Sequence, residues 1–141
     1  GFVGSVPSRV ANRTRRLPGR VRWVSTGLPI RRLAHVIARS SICINVHQDD
    51  GCQPVNPLFF AICGCGACQI TDSRPYLDRW MAGGDAYVRT TADELVPTLE
   101  GLLAVPERSR SIAAVGHRAA RQHTYVRRVE RILADGRMAA S

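Results

Sequence analysis

The stretch from Asn56 to Asp72, NPLFFAICGCGACQITD, constrains the fold more than any other, because it reads as a helix that runs through glycines directly into a short buried strand. Asn56 is placed to cap that helix, with Pro57 at its first position, where the missing N–H would have no helical partner anyway. The apolar run Leu58 to Ile62 leads to Gly64 and Gly66, which permit close approach and a positive φ at the helix end. Ala67 to Thr71 has the short, mostly apolar character of a parallel strand, and Asp72 is expected just past its carboxyl end. Open α/β sheets bind their ligands at that end of the strands.

The same alternation runs along the rest of the chain. Phe2 and Val3 read as a strand closed by Gly4-Ser5, Pro7 opens a helix to about Leu17, and Val21 to Ser25 reads as a second strand. Ile30, Leu33, Val36 and Ile37 recur at helical spacing up to Arg39, and Ile42 to Val46 is a β-branched strand with Asn45 near its end and His47 just beyond. A polar loop, Gln48 to Val55, then delivers the chain to the Asn56 helix. After Asp72 the expectations are a short helix over Pro75 to Met81, a glycine turn, and a brief strand at Ala86-Tyr87-Val88. Thr91 to Glu94 fits a capping box for a helix that Pro97 should strain, and two further helices begin near Pro106 and Thr124. Strands separated by helices of about ten residues predict one Rossmann-like domain over residues 1–141, a parallel sheet flanked by helices, with extra helices at the C-terminal end.

At 141 residues the chain can bury a core without staples. It has no apolar run near the roughly 18 residues that span a bilayer and no signal-peptide pattern. A cytoplasmic protein is the default, with peripheral membrane contact left open. Gly1 is not an initiator Met and a strand is already under way at Phe2, so a fragment of a longer protein is expected.

The net charge of +9 is carried by Arg alone, without one Lys, and it is lopsided. Residues 1–48 hold nine Arg and no acid, whereas the remainder balances eleven Arg against eleven Asp and Glu. Such a basic third suits the phosphates of a nucleotide or an acidic lipid headgroup. No aromatic residues interleave with Arg13, Arg15, Arg16 and Arg20 and no nucleic-acid-binding motif is present, so nucleic acid is not the expected partner.

Five cysteines raise a metal-binding alternative, with Cys63, Cys65 and Cys68 in one turn and Cys52 and His47 upstream. Their C-x-C and C-x-x-C spacings overlap within a helix-to-strand turn instead of forming two separated pairs. Small buried hydrophobes, and no metal, are the expectation.

Three pieces taken in order, SSICINVHQ, VNPLFFAICGCGACQITD and RQHTYVRRVERIL, resemble the C-terminal domain of GT-B glycosyltransferases, specifically the group related to the spore maturation protein CgeB. The family's N-x-H strand end is matched by Asn45-Val46-His47, its C-G-A turn by Cys65-Gly66-Ala67, and its T-D strand end by Thr71-Asp72. Asn56 and Phe60 match its N-x-R-x-F-E helix, His123-Thr124-Tyr125 its closing H-T-Y, and GFVGS its first strand and glycine turn. Two positions depart: Leu58 stands where the family has arginine, and Ala61 where it has the glutamate that in many GT-B enzymes holds the donor's ribose.

The resemblance implies a donor-binding half that moves a sugar from a nucleotide diphosphate-sugar to an acceptor, with no cofactor beyond that donor. Gly4, Ser5, Asn45, His47, Asn56, Ala61, Gly66, Thr71 and Asp72 are the implied donor-binding positions, and no catalytic residue is assigned. A missing N-terminal domain would supply the acceptor site, and the last helix, about residues 124–134, would pack toward it. The alternative is a non-catalytic interaction module that kept the fold and lost its donor anchors at Leu58 and Ala61.

Overall fold

The computed structural model describes residues 28–47 and 55–138. Among them a three-stranded parallel sheet in the order β1-β2-β3 is flanked by helices, which is the Rossmann-like α/β arrangement expected from the alternation. The chain runs α1 (Ile30–Ala38), β1 (Ile42–Asn45), α2 (Pro57–Gly64), β2 (Cys68–Asp72), a 3₁₀ turn (Pro75–Arg79) and β3 (Val88–Thr90). It continues through α3 (Leu95–Ala104), α4 (Pro106–Ala120), a second 3₁₀ turn (Arg121–His123) and α5 (Tyr125–Met138). The strands and helix read within residues 1–27, and most of the loop before Asn56, lie outside the described residues.

The Asn56–Asp72 segment folds as its residues dictate. The Asn56 side chain accepts the Phe59 amide at 2.9 Å, so α2 starts with one orphan donor satisfied and Pro57 at its first position. At the other end Gly66 adopts φ +79°, its N–H bonds the Cys63 carbonyl at 2.9 Å, and the Ala67 N–H bonds the Ile62 carbonyl at 3.3 Å. That paired closure needs the left-handed backbone that glycine adopts without penalty. It turns the chain straight into β2.

β2 is the middle strand, with Ile42 opposite Cys68 and Asn45 opposite Thr71 on one side, and Ile70 opposite Val88 and Asp72 opposite Thr90 on the other. Alternation puts Ile42, Ile44, Cys68, Ile70 and Val88 on one face, packed on Leu95, Leu99 and Leu102 of α3 and Ile112 and Ala113 of α4. On the opposite face Cys43 joins Leu33 and Ile37 of α1 and Leu58, Ile62 and Cys65 at α2. A third cluster sets Phe59 and Cys63 against Leu77, Met81, Ala86, Tyr87 and Ala120.

Several element boundaries differ from the sequence reading. β1 stops at Asn45 and leaves Val46 outside, while β2 starts at Cys68 and takes in Asp72 as its last residue. The third strand is Val88–Thr90, not Ala86 to Val88, because Ala86 and Tyr87 are fully enlisted in the side-chain core and the Ala86 amide bonds the Ala82 carbonyl in a turn. The helix expected over Pro75 to Met81 is a 3₁₀ turn ending at Arg79. Pro97 does not strain α3: it lies in the first turn, where its missing N–H would have been an orphan. Thr91 accepts the Glu94 amide at 3.3 Å and gives its hydroxyl to the Glu94 carboxylate at 3.0 Å, but α3 starts only at Leu95, with Glu94 as its cap residue and no side-chain cap bond, so the expected capping box does not form. α5 is capped by Thr124, whose hydroxyl accepts the Arg127 amide at 3.3 Å, and it runs to Met138, beyond the end expected near residue 134.

Gly116 is where α4 meets the turn before β3. A Cβ at this position would stand 2.5 Å from the Ala86 carbonyl oxygen and 3.3 Å from the Cys63 sulfur. Backbone cannot step aside as a side chain can, so Gly116→Ala should lower stability by about 1–3 kcal/mol. Urea unfolding should show the loss as a lower midpoint with an unchanged slope, and an unchanged midpoint would mean that α4 sits further from the turn.

Candidate functional site

The carboxyl ends of β1 and β2 bring together five of the residues singled out in the sequence: Asn45, His47, Asn56, Thr71 and Asp72. Parallel register sets Asn45 beside Thr71, and α2 returns antiparallel to the strands, so its first residues lie at the same edge. The Asn45 and Asn56 carboxamides exchange two hydrogen bonds of 3.1 Å, one in each direction. Asn56 thereby caps α2 and pins that cap to the strand end with one side chain.

Asp72 is the hub of the cluster. Its Oδ1 accepts the His47 backbone N–H at 3.0 Å, His47 Nδ1 at 2.8 Å and the Thr71 hydroxyl at 3.2 Å, while Oδ2 accepts Arg74 Nε at 2.6 Å. Burial opposes ionisation of this carboxyl, but the bonds from His47 and Arg74 outweigh it and hold the group well below the usual carboxylate range. The carboxylate is therefore occupied by the chain's own donors. Its role here is to position its neighbours, not to cap the following 3₁₀ turn, whose cap residue Arg74 makes no side-chain cap bond.

His47 is buried, 4% exposed, with its ring tilted against Phe59 and edge-on to Tyr76. Its Nδ1 faces Asp72 and, at 3.3 Å, Thr71 Oγ1, whereas Nε2 is buried without a hydrogen-bond partner among the described residues. A buried polar nitrogen without a partner is uncommon, and an orphaned N–H costs more than an orphaned lone pair. The favoured tautomer donates from Nδ1 to Asp72.

The remaining candidates fall elsewhere. Gly4 and Ser5 lie outside the described residues. Ala61 is exposed on α2, with no bond to the cluster. Gly66 closes α2 ahead of β2, on the order of 20 Å of extended chain from Asp72, so its observed work is the helix-to-strand turn. Leu58, at the position of the expected arginine, packs among Leu33, Ile37, Ile62 and Cys65 between α1 and α2.

The cysteines are treated as small apolar groups. Cys63 and Cys68 are buried, and burial pushes the Cys63 thiol up to about 12 and those of Cys43 and Cys68 up to about 11. Groups held as thiols so far above neutral pH must lose a proton before they can ligate a metal. No cluster of three or more His, Cys, Asp or Glu suited to an ion occurs among the described residues, and Cys52 lies outside them.

Two features were not read from the sequence. Arg74 joins the cluster through Asp72, a contact that the D-S-R spacing at a strand end could have suggested. Farther along, Asp78 accepts the Tyr87 hydroxyl at 2.8 Å, the Gly83 amide at 3.0 Å and Arg89 at 2.7 Å, tying the turn before β3 to its base. Burial and this bond both push the Tyr87 phenol well above its ordinary range.

A polar cluster at the carboxyl edge of a parallel sheet is the ligand-facing arrangement of open α/β folds. A family model described as "Glycosyl transferase-like" matches residues 2–134, nearly the whole chain, and the chain belongs to that family. No curated protein and no solved structure matches it. Among the described residues no helix is long and apolar enough to cross a membrane.

The depressed pKa of Asp72 makes the cluster sensitive to acid. Its carboxylate contributes stability that is present above the unfolded value of about 3.9 and lost as the pH falls from there toward the folded value. At neutral pH Asp72→Asn should cost roughly 2 kcal/mol, within the range for hydrogen bonds to a charged group. The stability gap between the native chain and Asp72→Asn should start to narrow below about pH 5 and keep narrowing as the pH falls toward the folded value. A gap independent of pH would show that the carboxylate is not held in this way.

Proposed function

We propose that the chain is the donor-binding half of a two-domain GT-B glycosyltransferase of the CgeB-related group, transferring a sugar from a nucleotide diphosphate-sugar to an acceptor. The observation that carries this reading is the Asn45–His47–Asn56–Thr71–Asp72 cluster at the carboxyl edge of the sheet, in a chain of the glycosyl transferase-like family. The chemistry asked of such a half is electrostatic: donors held in place stabilise the negative charge that develops on the departing diphosphate. The donor is bound without a cofactor or metal, while the acceptor and the catalytic base belong to an N-terminal domain. The described cysteines are free thiols, which suits a reducing cytoplasmic setting.

Ala61 gives the sharpest test. Side chains of a helix lean toward its N-terminus, and α2 begins at the ligand edge, so a glutamate at 61 would reach back toward a nucleotide lying there. Hydrogen bonds from ribose hydroxyls to a carboxylate contribute roughly 1.5–3 kcal/mol, so Ala61→Glu should tighten nucleoside diphosphate binding by about tenfold or more. Titration calorimetry should show this gain with ribonucleotides and not with 2′,3′-dideoxy nucleotides. A second reading, an interaction module without donor binding, is favoured by the packing of the partly buried Leu58 against the α1–α2 core and by the missing carboxylate at Ala61. It predicts no binding by either protein.

The two-domain reading also gives α5 a role. Tyr125, Val126, Val129, Ile132 and Leu133 are between 53% and 78% exposed, an apolar stripe that nothing described covers. In the proposed enzyme it packs on the N-terminal domain. Amides of α5 in the chain alone should therefore exchange faster than those of β1, and equal protection would place α5 in this domain's own core.

A further inference from the structure

We infer that Arg128 of α5 is the cation that meets the phosphate-bearing end of the donor, an assignment that rests on the donor-binding reading above. Its guanidinium lies 4.7 Å from the Phe60 ring centre and 5.5 Å from that of Trp80. His123 packs on both rings, with centres 5.3 Å and 5.7 Å away. Arg128 is half-buried, and its Nε is buried without a hydrogen-bond partner. Among the described residues its side chain makes no hydrogen bond or ion pair. Trp80 is 39% exposed, so the cluster is open to solvent.

Arg110 and Arg127 pair with glutamates three residues away on their own helices, Arg89 with Asp78 and Arg74 with Asp72. Each of those charges has a carboxylate of the chain beside it, whereas Arg128 has aromatic rings. Ring faces attract a cation, but they do not accept its N–H groups as the oxygens of an anion do. The charge is thus partly withdrawn from water without an anion, a cost that a phosphate relieves through paired N–H···O bonds. The rings also hold the guanidinium beforehand, which removes part of the rotamer entropy that binding would otherwise cost.

The cluster stands at the end of the sheet where ligands of open α/β folds bind. Phe60 lies in the first turn of α2, whose cap Asn56 is bonded to Asn45 at the end of β1. Trp80 closes the 3₁₀ turn that follows the end of β2. Ring contacts of 5.3 Å from Phe60 to Phe59 and 6.1 Å from Phe59 to His47 link the cluster to that edge. Leu58 packs toward α1 and gives α2 no cation, while Phe60 on the same helix brings one in from α5.

The experiment titrates the full chain with UDP, ADP and GDP, with uridine, adenosine and guanosine, and with pyrophosphate. Arg128→Met keeps an unbranched side chain on the rings and removes the charge. For the nucleoside diphosphate that the native chain binds best, it should weaken binding by about tenfold or more, while the matching nucleoside changes by less than about twofold. Arg128→Lys keeps the charge but not the fork and should fall between the two proteins. It also decides the matter if Arg128→Met does not fold. Arg127→Met, one residue away on α5 and paired with Glu130 in the native chain, should leave both affinities unchanged. Diphosphate affinity that is indifferent to Arg128 overturns the assignment while leaving donor binding intact. So does a loss shared by the nucleoside or by Arg127→Met, which a loosened α5 would produce. Pyrophosphate binding that depends on Arg128 when nucleoside diphosphate binding does not would place a free phosphate there, and it overturns the assignment as well. A native chain that binds no nucleoside diphosphate overturns the donor reading and this assignment together.

Discussion

The Asp72 carboxylate is the interaction on which the carboxyl edge of the sheet depends. It ends the middle strand and draws four hydrogen bonds from three residues, two of them from His47. Taken separately, each bond to a charged group contributes roughly 1.5–3 kcal/mol, but they share one charge and are not additive. Their joint effect is geometric. The chain leaving β1 is held against the end of β2 by the His47 amide, and the chain leaving β2 is held by Arg74, so two loops that would otherwise diverge start from fixed positions. The Asn45–Asn56 pair does the same for the start of α2. Polar side chains are buried here only because each finds a partner, with His47 Nε2 the exception.

Much of this was legible because it rests on short-range rules. Asn56 followed by Pro57 states a helix start, and Gly66 after an apolar run states a left-handed stop, both decided within a few residues. The alternation of strands and helices was equally local. The third strand was misread because Ala86 and Tyr87 are apolar for a different reason: they fill the gap between α2, α4 and the 3₁₀ turn. Only Asp78, nine residues earlier, makes the buried Tyr87 hydroxyl tolerable, and no local pattern announces that pairing. Arg74 differs, since its partner Asp72 is only two residues away and the contact is local.

Leu58 and the cysteines show how one residue type serves packing where another would serve chemistry. Leu58 fills space between α1 and α2, and a cation in that setting would have to keep its charge hydrated beside Leu33 and Ile37. Cys63 touches Ala86 O and Gln69 Oε1 only at 3.9 Å, long even for sulfur, so it contributes volume more than hydrogen bonding. In both places the burial visible in the structure shows which neighbours the side chain packs against.

α5 is the element least explained by the described residues alone. Its Arg128 guanidinium lies 4.7 Å from the Phe60 ring centre and 5.5 Å from that of Trp80, beside His123, which packs on both rings. Such contacts contribute about 0.5–2 kcal/mol, the Thr124 cap about 1, and the exposed Arg127–Glu130 pair a few tenths. All of them act on the first turns. A helix of 14 residues is marginal in water without a packed face, and here Arg128 is clasped to the body while the apolar side points outward. The clasp begins on α2, the helix whose cap residue Asn56 is pinned to the end of β1, so whatever covers the α5 stripe is joined through Phe60 to the carboxyl edge of the sheet. In a two-domain enzyme that connection would let the docking of the second domain and the placement of the donor share one rigid element.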